Sequence, residues 1–361
     1  MIGLAILAFG FLPIGLPRSL AATYAFYLAA VPGFLLVVYA VWPWLHRLVR
    51  RLEAVFERLV FDGSPRLFAG AVASVTLLVA CGLSYFLFDF TPRIPTGIAH
   101  WFHARILASG ALYGQAPPVP EFFGLLTVVA DSGRWYSIFP LGHTALVAGA
   151  LKLGAPWIVN PLCGAAAVVL FYLLGKELFG ERTGRLAALF GLFSPFLVFM
   201  SSEFYNDASS LVFCTAFLLS FARATKSGRL RHGLLAGVFL GLAVNTRPVT
   251  ALAASLPLIG YSLWLLLRAP RRHALPLAGT CVATLAFVAL LLASNYGITG
   301  DALATGYAHA SPVVEDRAFD PAKIVPSSVT RVLFLNRYLF QWAIPSLLPV
   351  ALLFASGRAT R

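Results

Sequence analysis

Long apolar runs alternate with short polar punctuation along this chain, and the runs have the length of membrane-crossing helices rather than of strands. Residues 1–17 are apolar, lack a charged leader and a clear cleavage site, and pair with 20–44 as a helical hairpin, a retained anchor rather than a removed signal. In 45–62, LHRLVRRLEAVFERLVFD, apolar residues such as Leu45, Leu48, Leu52, Val55 and Leu59 recur at helical spacing between Arg and Glu. That pattern predicts an amphipathic helix on the cytosolic membrane surface. Leu67–Phe88 is read as an outward span and Trp157–Leu174 as the return, with a first outer loop over 89–156. Within it Ile138–Leu153 is too short and too Gly-rich to cross, so it is read as an interfacial helix.

After the turn GKELFGERTGR, crossings are predicted at Leu186–Met200, Ala208–Phe221, Leu234–Val244, Val249–Leu267 and Ala274–Ala293. The turns SSEFYND, RATKSGRLRH, NTRP and RAPRR join them, and a last outer loop, 294–338, precedes a final span near Leu339–Ala355. The expected fold class is all-α: one membrane domain over 1–361, a polytopic transmembrane bundle of about ten helices whose large outer loop carries interfacial helices.

Composition sharpens this pattern. The 361 residues are 59% hydrophobic and 11% charged, with a mean hydropathy of +0.83, which excludes a string of soluble domains. No ten-residue barrel alternation is visible, so helices must satisfy the backbone within lipid. The net charge of +13 would suggest nucleic acid until it is mapped. Clusters at 45–66, 176–185, 223–231 and 268–272, with Arg358 and Arg361, put seventeen of the 27 basic residues on one side, against five of the 14 acidic ones. The positive-inside rule accounts for that excess, marks the side as cytosolic and argues against a nucleic-acid partner. The four cysteines lie in apolar spans without ligand or redox spacing. There is no Walker sequence, GxGxxG, HExxH or DxD, and the cytosolic turns are too short for a nucleotide domain. An enzyme of this kind must take its substrates from the membrane or the outer side.

The candidate chemistry therefore sits at the outer ends. Asp89, Glu121 and Asp131 lie in the first loop, Glu203 and Asp207 in SSEFYND, and ionisable groups at a bundle's edge are costly unless paired or functional. Glu203 and Asp207 are four apart and can face one cavity, as a general base or a metal-holding pair. Arg247, between two apolar helices in NTRP, can pair with phosphate, and Arg317, Lys323, Arg331 and Arg337 offer further cations. His100 and His103, three apart in IAHWFHARIL, would suit a divalent metal such as zinc if a carboxylate joined them, although spacing fixes no third ligand. Arg134, Tyr136 and His143 in GRWYSIFPLGH can orient a polar ligand, and the aromatic residues there equally suit interfacial anchoring.

The ordered series IPTGIAHWFHARILASGALY, APPVPEFF, GRWYSIFPLGH, GAPWIVNPLCGAAAVVLFYLLGKELFGERTGRLAALFGLFSPFLVFMS, NTRPVTAL and SNYGITGDAL resembles membrane glycosyltransferases of the GT-C class. Within that class it looks most like the family 39-like group that includes protein O-mannosyltransferases and bacterial aminoarabinose transferases, over roughly residues 67–345. The resemblance implies a polyprenyl-phosphate sugar donor and transfer to a lipid, glycan or protein acceptor on the non-cytosolic face of a bacterial inner membrane. It also implies a carboxylate base in the first outer loop, help from the next outer turn and cations at the leaving phosphate. One departure matters: the resemblance puts an Asp where this chain has Thr96, and threonine is no base. Asp89, Glu121 or Asp131 takes that role, or the Glu203 and Asp207 pair does, or the chain transfers no sugar. Two other readings stay open: a catalytically silent homologue that binds lipid-linked sugar or a partner, and a transporter or flippase for an amphiphile.

Overall fold

The computed structural model describes residues 60–309 except 124, with isolated positions at 55, 57 and 58 and between 328 and 339. The spans expected at 1–17, 20–44 and 339–355, together with Arg317, Lys323 and Arg337, lie outside the described residues. Of the amphipathic segment 45–62 only the end is described, and it is helical. The chain divides into two units, Met1–Phe68 with Val325–Arg361, and Ala69–Ile324. The second unit holds the helical bundle and the candidate site.

The helices of this unit start and stop where the sequence says they must. α1 (Pro65–Phe86), α2 (Pro95–Ala108), α3 (Leu141–Lys152), α4 (Val159–Phe179), α5 (Glu181–Leu192), α6 (Pro195–Met200), α7 (Asn206–Ser227), α8 (Leu230–Thr246), α9 (Pro248–Arg268) and α10 (Pro270–Thr299) follow in order. Proline opens α2, α6, α9 and α10, where a missing N–H costs nothing. α7 and α10 end at glycines in the left-handed region, Gly228 and Gly300. Five described segments are long and apolar enough to cross a membrane: Pro65–Phe86, Pro156–Phe179, Asn206–Ser227, Pro248–Arg268 and Pro270–Thr299; α8 is apolar but shorter.

Three expectations change. The span expected at Leu186–Met200 is two helices, α5 and α6, because Ser194 accepts the Leu197 N–H and Pro195 restarts the chain. The basic turn RATKSGRLRH shrinks to Gly228 and Arg229, since α7 runs on to Ser227. The segment 89–156, expected to carry helices, also carries strands: β1 (Gly114–Gln115), β2 (Val128–Asp131) and β3 (Arg134–Ser137) form an antiparallel sheet in the order β1-β3-β2. Ser132 and Gly133, both at positive φ, make its β2–β3 hairpin. These strands are two to four residues long, below the length at which alternation can be read. Within the segment Ile138–Leu153 a helix is present as α3, starting three residues later, at Leu141.

Close backbone approach holds the bundle. In lipid, helices gain nothing from burying apolar surface against one another, so small residues that let backbones meet become the adhesive. A Cβ on Gly233, Gly237 or Gly241 of α8 would sit 2.0 Å from the Pro276 carbonyl, 2.3 Å from the Thr280 carbonyl or 2.4 Å from Phe287 Cβ of α10. Thr280 Oγ1 donates to the Gly233 carbonyl (3.0 Å), Thr284 Oγ1 to the Gly237 carbonyl (3.3 Å) and Asn245 Nδ2 to the Phe287 carbonyl (2.8 Å). α8 thus lies parallel against α10.

Gly237→Ala is expected to lower stability by roughly 1–3 kcal/mol through overpacking. Gly260→Ala in α9, where no atom stands within 4 Å of the new Cβ, is expected to be neutral or to stabilise by up to ~1 kcal/mol through helix propensity. Thermal melts of both variants in detergent test the contrast; equal shifts would remove the seam from the account of stability.

Candidate functional site

The polar turn 201–205 is shaped by side chains from apolar helices. Asn160 Nδ2, 3% exposed in α4, donates to the carbonyls of Met200 (3.3 Å) and Tyr205 (2.8 Å). Ser84 Oγ of α1 donates to the Ser202 carbonyl at 2.7 Å. A Cβ at Gly164 would stand 2.5 Å from Ser201 Oγ, so α4 passes directly beneath the turn.

Glu203 is 3% exposed, and both its oxygens are engaged. Oε1 accepts the Arg93 N–H at 2.6 Å and Oε2 accepts the Phe204 N–H at 2.9 Å. The carboxylate therefore ties the segment ahead of α2 to the turn ahead of α7. A Cβ on Gly97 would stand 2.9 Å from Glu203 Oε2, which brings this acid beside the start of α2, one residue from Thr96. Burial raises its pKa, against the opposing pull of the Arg93 and Phe204 amides. Asp89 belongs to the same corner but faces outward: it is in the left-handed region, and its largely exposed carboxylate pairs with the Arg93 guanidinium.

Asp207, in the first turn of α7, pairs with Arg247, the residue between α8 and α9. Both side chains are partly open, at 39% and 38% exposure. Arg247 is placed there by Thr246, which ends α8, and Pro248, which begins α9 and disfavours helical backbone before it. Asn206 Nδ2 donates to the Thr246 carbonyl at 3.5 Å, and a Cβ on Gly142 would meet the Asn245 carbonyl at 2.6 Å. The ends of α3, α7 and α8 are thus in direct contact.

His143 follows Gly142 at the start of α3 and is fully buried, with Nδ1 3.0 Å from Ser209 Oγ of α7. Ser209 Oγ also lies 3.1 Å from the Asn206 carbonyl, and His143 Nε2 is buried without a hydrogen-bond partner. His100, also fully buried, stacks on Phe139 (4.7 Å between centroids) and meets His143 edge to face (4.8 Å). Its Nδ1 lies 2.8 Å from Thr144 Oγ1 and its Nε2 is unpartnered. Burial pushes His143 down to about 4 against the Phe204 carbonyl. Burial also pushes His100 well below its ordinary range, with His143, His103 and Arg247 adding to the effect. Both imidazoles are neutral at pH 7.

The remaining candidates spread out. His103 does not share a ligand position with His100: its Nε2 donates to the Leu112 carbonyl (2.9 Å) and its Nδ1 accepts from Ser137 N–H (3.4 Å). Among the described residues no three His, Cys, Asp or Glu side chains group as a metal site. Arg134 braces the sheet, donating to the Ile298 carbonyl at 2.8 Å with its guanidinium over Tyr113. Tyr136 is 2% exposed in an apolar cluster with Val129, Ile138 and Ile298. Asp131 faces His309 at 3.5 Å. Thr144, Asn160, Asn206 and Ser209 were not singled out from the sequence, although a polar residue on the buried face of an apolar helix is a signal that can be read.

Apolar helices of spanning length, capped by a polar junction of α3, α7 and α8, define a multi-pass helical membrane protein. Residues 142–296, under half of the chain, match the family described as dolichyl-phosphate-mannose-protein mannosyltransferase, and over that stretch the chain is similar to membrane glycosyltransferases of the GT-C class. The matched stretch contains His143, Glu203, Asp207 and Arg247, and excludes Asp89, His100, Arg134 and Tyr136. No curated protein matches the chain significantly. Among solved structures, the Archaeoglobus fulgidus oligosaccharyltransferase in its apo form is similar at 14% identity and a TM-score of 0.42, over 78% of this chain and 39% of that one. The chain thus spans about two fifths of that structure's length.

The buried histidines carry a pH consequence. His143 titrates near 6.5 when unfolded and about 4 when folded, so between those values the unfolded chain binds the extra proton. Stability from this group is complete above pH 6.5 and is lost as pH falls towards 4, by about 3 kcal/mol in all. Glu203, with a raised pKa, acts oppositely: its contribution declines as pH rises above 4.5. The melting temperature is expected to fall from pH 7 to pH 4.5, less steeply in His143→Asn. An unchanged slope in that variant would refute the assignment to His143.

Proposed function

We propose that the chain is a glycosyltransferase that moves a sugar from a polyprenyl-phosphate donor to an acceptor hydroxyl at the Asp207 and Arg247 end of the bundle. The observation that carries this reading is the partly open Asp207–Arg247 ion pair, set where α3, α7 and α8 meet. In this mechanism the acceptor oxygen attacks the anomeric carbon and its proton passes to the Asp207 carboxylate. The bond between the anomeric carbon and the phosphate oxygen breaks, the electron pair leaves with the phosphate, and Arg247 releases Asp207 to neutralise the growing charge. Glu203, sealed on two backbone amides, is a positioning residue that holds the first loop over the site.

The end of the bundle matters too. Asp207 and Arg247 stand at the opposite ends of α7 and α8 from Arg223, Lys226, Arg229 and Arg231. With the basic end cytosolic, this site is non-cytosolic, where a lipid-linked donor is available without a nucleotide domain. The second reading, a silent homologue that binds the lipid-linked sugar, is favoured by Thr96.

Transfer from radiolabelled polyprenyl-phosphate mannose to membrane acceptors tests the proposal. Asp207→Asn is expected to cut turnover 100-fold or more, with the melting temperature nearly unchanged. Glu203→Gln is expected to lose about 1–3 kcal/mol of stability by disturbing a buried acceptor, with turnover per folded molecule largely kept. Full activity in Asp207→Asn, or a dead but stable Glu203→Gln, would reverse the two roles. Donor binding without turnover in the unaltered chain would leave the silent reading.

A further inference from the structure

The basic end of the bundle holds a second group of charged residues that the proposed reaction does not use. Its acidic residues are already taken: Glu177 pairs with Arg223 and Lys226, and Glu181 with Lys176 and Arg185. Arg229, Arg231, Arg271 and Arg272 are exposed, and among the described residues none of them pairs with a carboxylate.

Their backbone setting is fixed by the glycine seam. α8 and α10 run parallel, with Gly233 against Pro276 and Gly237 against Thr280, so their N-termini end side by side. Gly228 seals the junction from below: its Cβ would stand 3.1 Å from the Arg272 carbonyl, the one that Pro276 leaves without an N–H partner. Neither helix start has a capping side chain, so two positive helix ends face the same space.

An independent feature marks this junction. His273, in the first turn of α10, shares the face of Pro276 and Thr280 that packs on α8. It is only 6% exposed, and its Nδ1 has no hydrogen-bond partner. A buried nitrogen of this kind is costly unless something outside the chain satisfies it. As the Nδ1–H tautomer it presents a donor in the first turn of α10, at two uncapped helix starts whose exposed arginines favour the same kind of group, a tetrahedral oxyanion; of these Arg272 also donates to the Lys226 carbonyl.

We infer that the junction of the α8 and α10 N-termini, framed by Arg229, Arg231, Arg271, Arg272 and His273, binds a phosphate group. The headgroup phosphate of an anionic membrane lipid supplies that chemistry where the chain meets the bilayer surface, and free phosphate supplies it from solution. The site lies at the opposite end of α8 from Arg247, so it does not rest on the proposed transfer reaction.

Native mass spectrometry of the purified full chain in detergent, with phosphatidylglycerol added and phosphatidylcholine as the neutral control, tests the lipid source. Phosphatidylglycerol adducts are expected on the unaltered chain, weakening as salt is raised. They are expected to fall about tenfold or more in the double variant Arg231→Gln/Arg271→Gln, with phosphatidylcholine adducts unchanged. His273→Phe keeps every arginine and is expected to lose adducts several-fold, which separates the junction from diffuse surface charge. Millimolar inorganic phosphate forms the second arm, read by thermal melting. Stabilisation of the unaltered chain but not of the double variant, without preference for phosphatidylglycerol, assigns the site to a soluble anion. Equal phosphatidylglycerol adducts on the unaltered chain and on both variants, with no phosphate-dependent melting shift, overturn the inference.

Discussion

The seam between α8 and α10 is the constraint on which the rest of the site depends. Three glycines four residues apart remove every side chain from one stripe of α8, and the carbonyls they expose accept from Thr280 and Thr284. In a medium where apolar contact is no reward, this combination of close approach and hydrogen bonding fixes both the register and the parallel direction of the two helices. Register is what matters for function. Once Gly241 sits on Phe287 and Asn245 bonds the Phe287 carbonyl, the end of α8 is set, and Arg247 has a single place to be. Gly142 then seats α3 on that same end, and the positions of His143 and His100 are set by where α3 begins.

Around this end the two acidic residues of one turn acquire different characters from small differences in placement. Glu203 precedes α7 and is turned inward, so backbone amides saturate it and burial raises its pKa. Asp207, four residues later, is inside the helix's first turn, where the helix dipole favours its charge and Arg247 meets it at the surface. The turn thus carries one buried carboxylate saturated by backbone amides and one open carboxylate paired with a guanidinium.

Much of the bundle is legible from residues alone, and the rest is hidden for identifiable reasons. Apolar run length locates α8 and α9 to within four residues and α7 and α10 to within six, because that signal is local. Arg247 stands out because a cation between two apolar runs is costly without a purpose. The sheet of the first loop is invisible because its strands are two to four residues long and are held by the loop's own packing. His100 and His103 look like a pair because helical spacing brings residues three apart onto one side. Thr144 and Leu112, far along the chain, draw them to different partners. Pairing across the fold also joins Asp207 to Arg247 and Glu203 to Arg93, and no local pattern encodes either.

The corner at the start of α2 shows the same dependence on pairing across the fold. Gly97 lies against the Glu203 carboxylate, close enough that a Cβ there would approach Oε2 to 2.9 Å. Glu203 is already buried and held by the Arg93 and Phe204 amides. A second acid brought to short range of it in a poorly solvated corner would force one of the two to take up a proton. Glycine at 97 therefore does two things at once: it leaves room for the carboxylate and brings no charge of its own, and that is what lets the segment ahead of α2 close on the turn before α7.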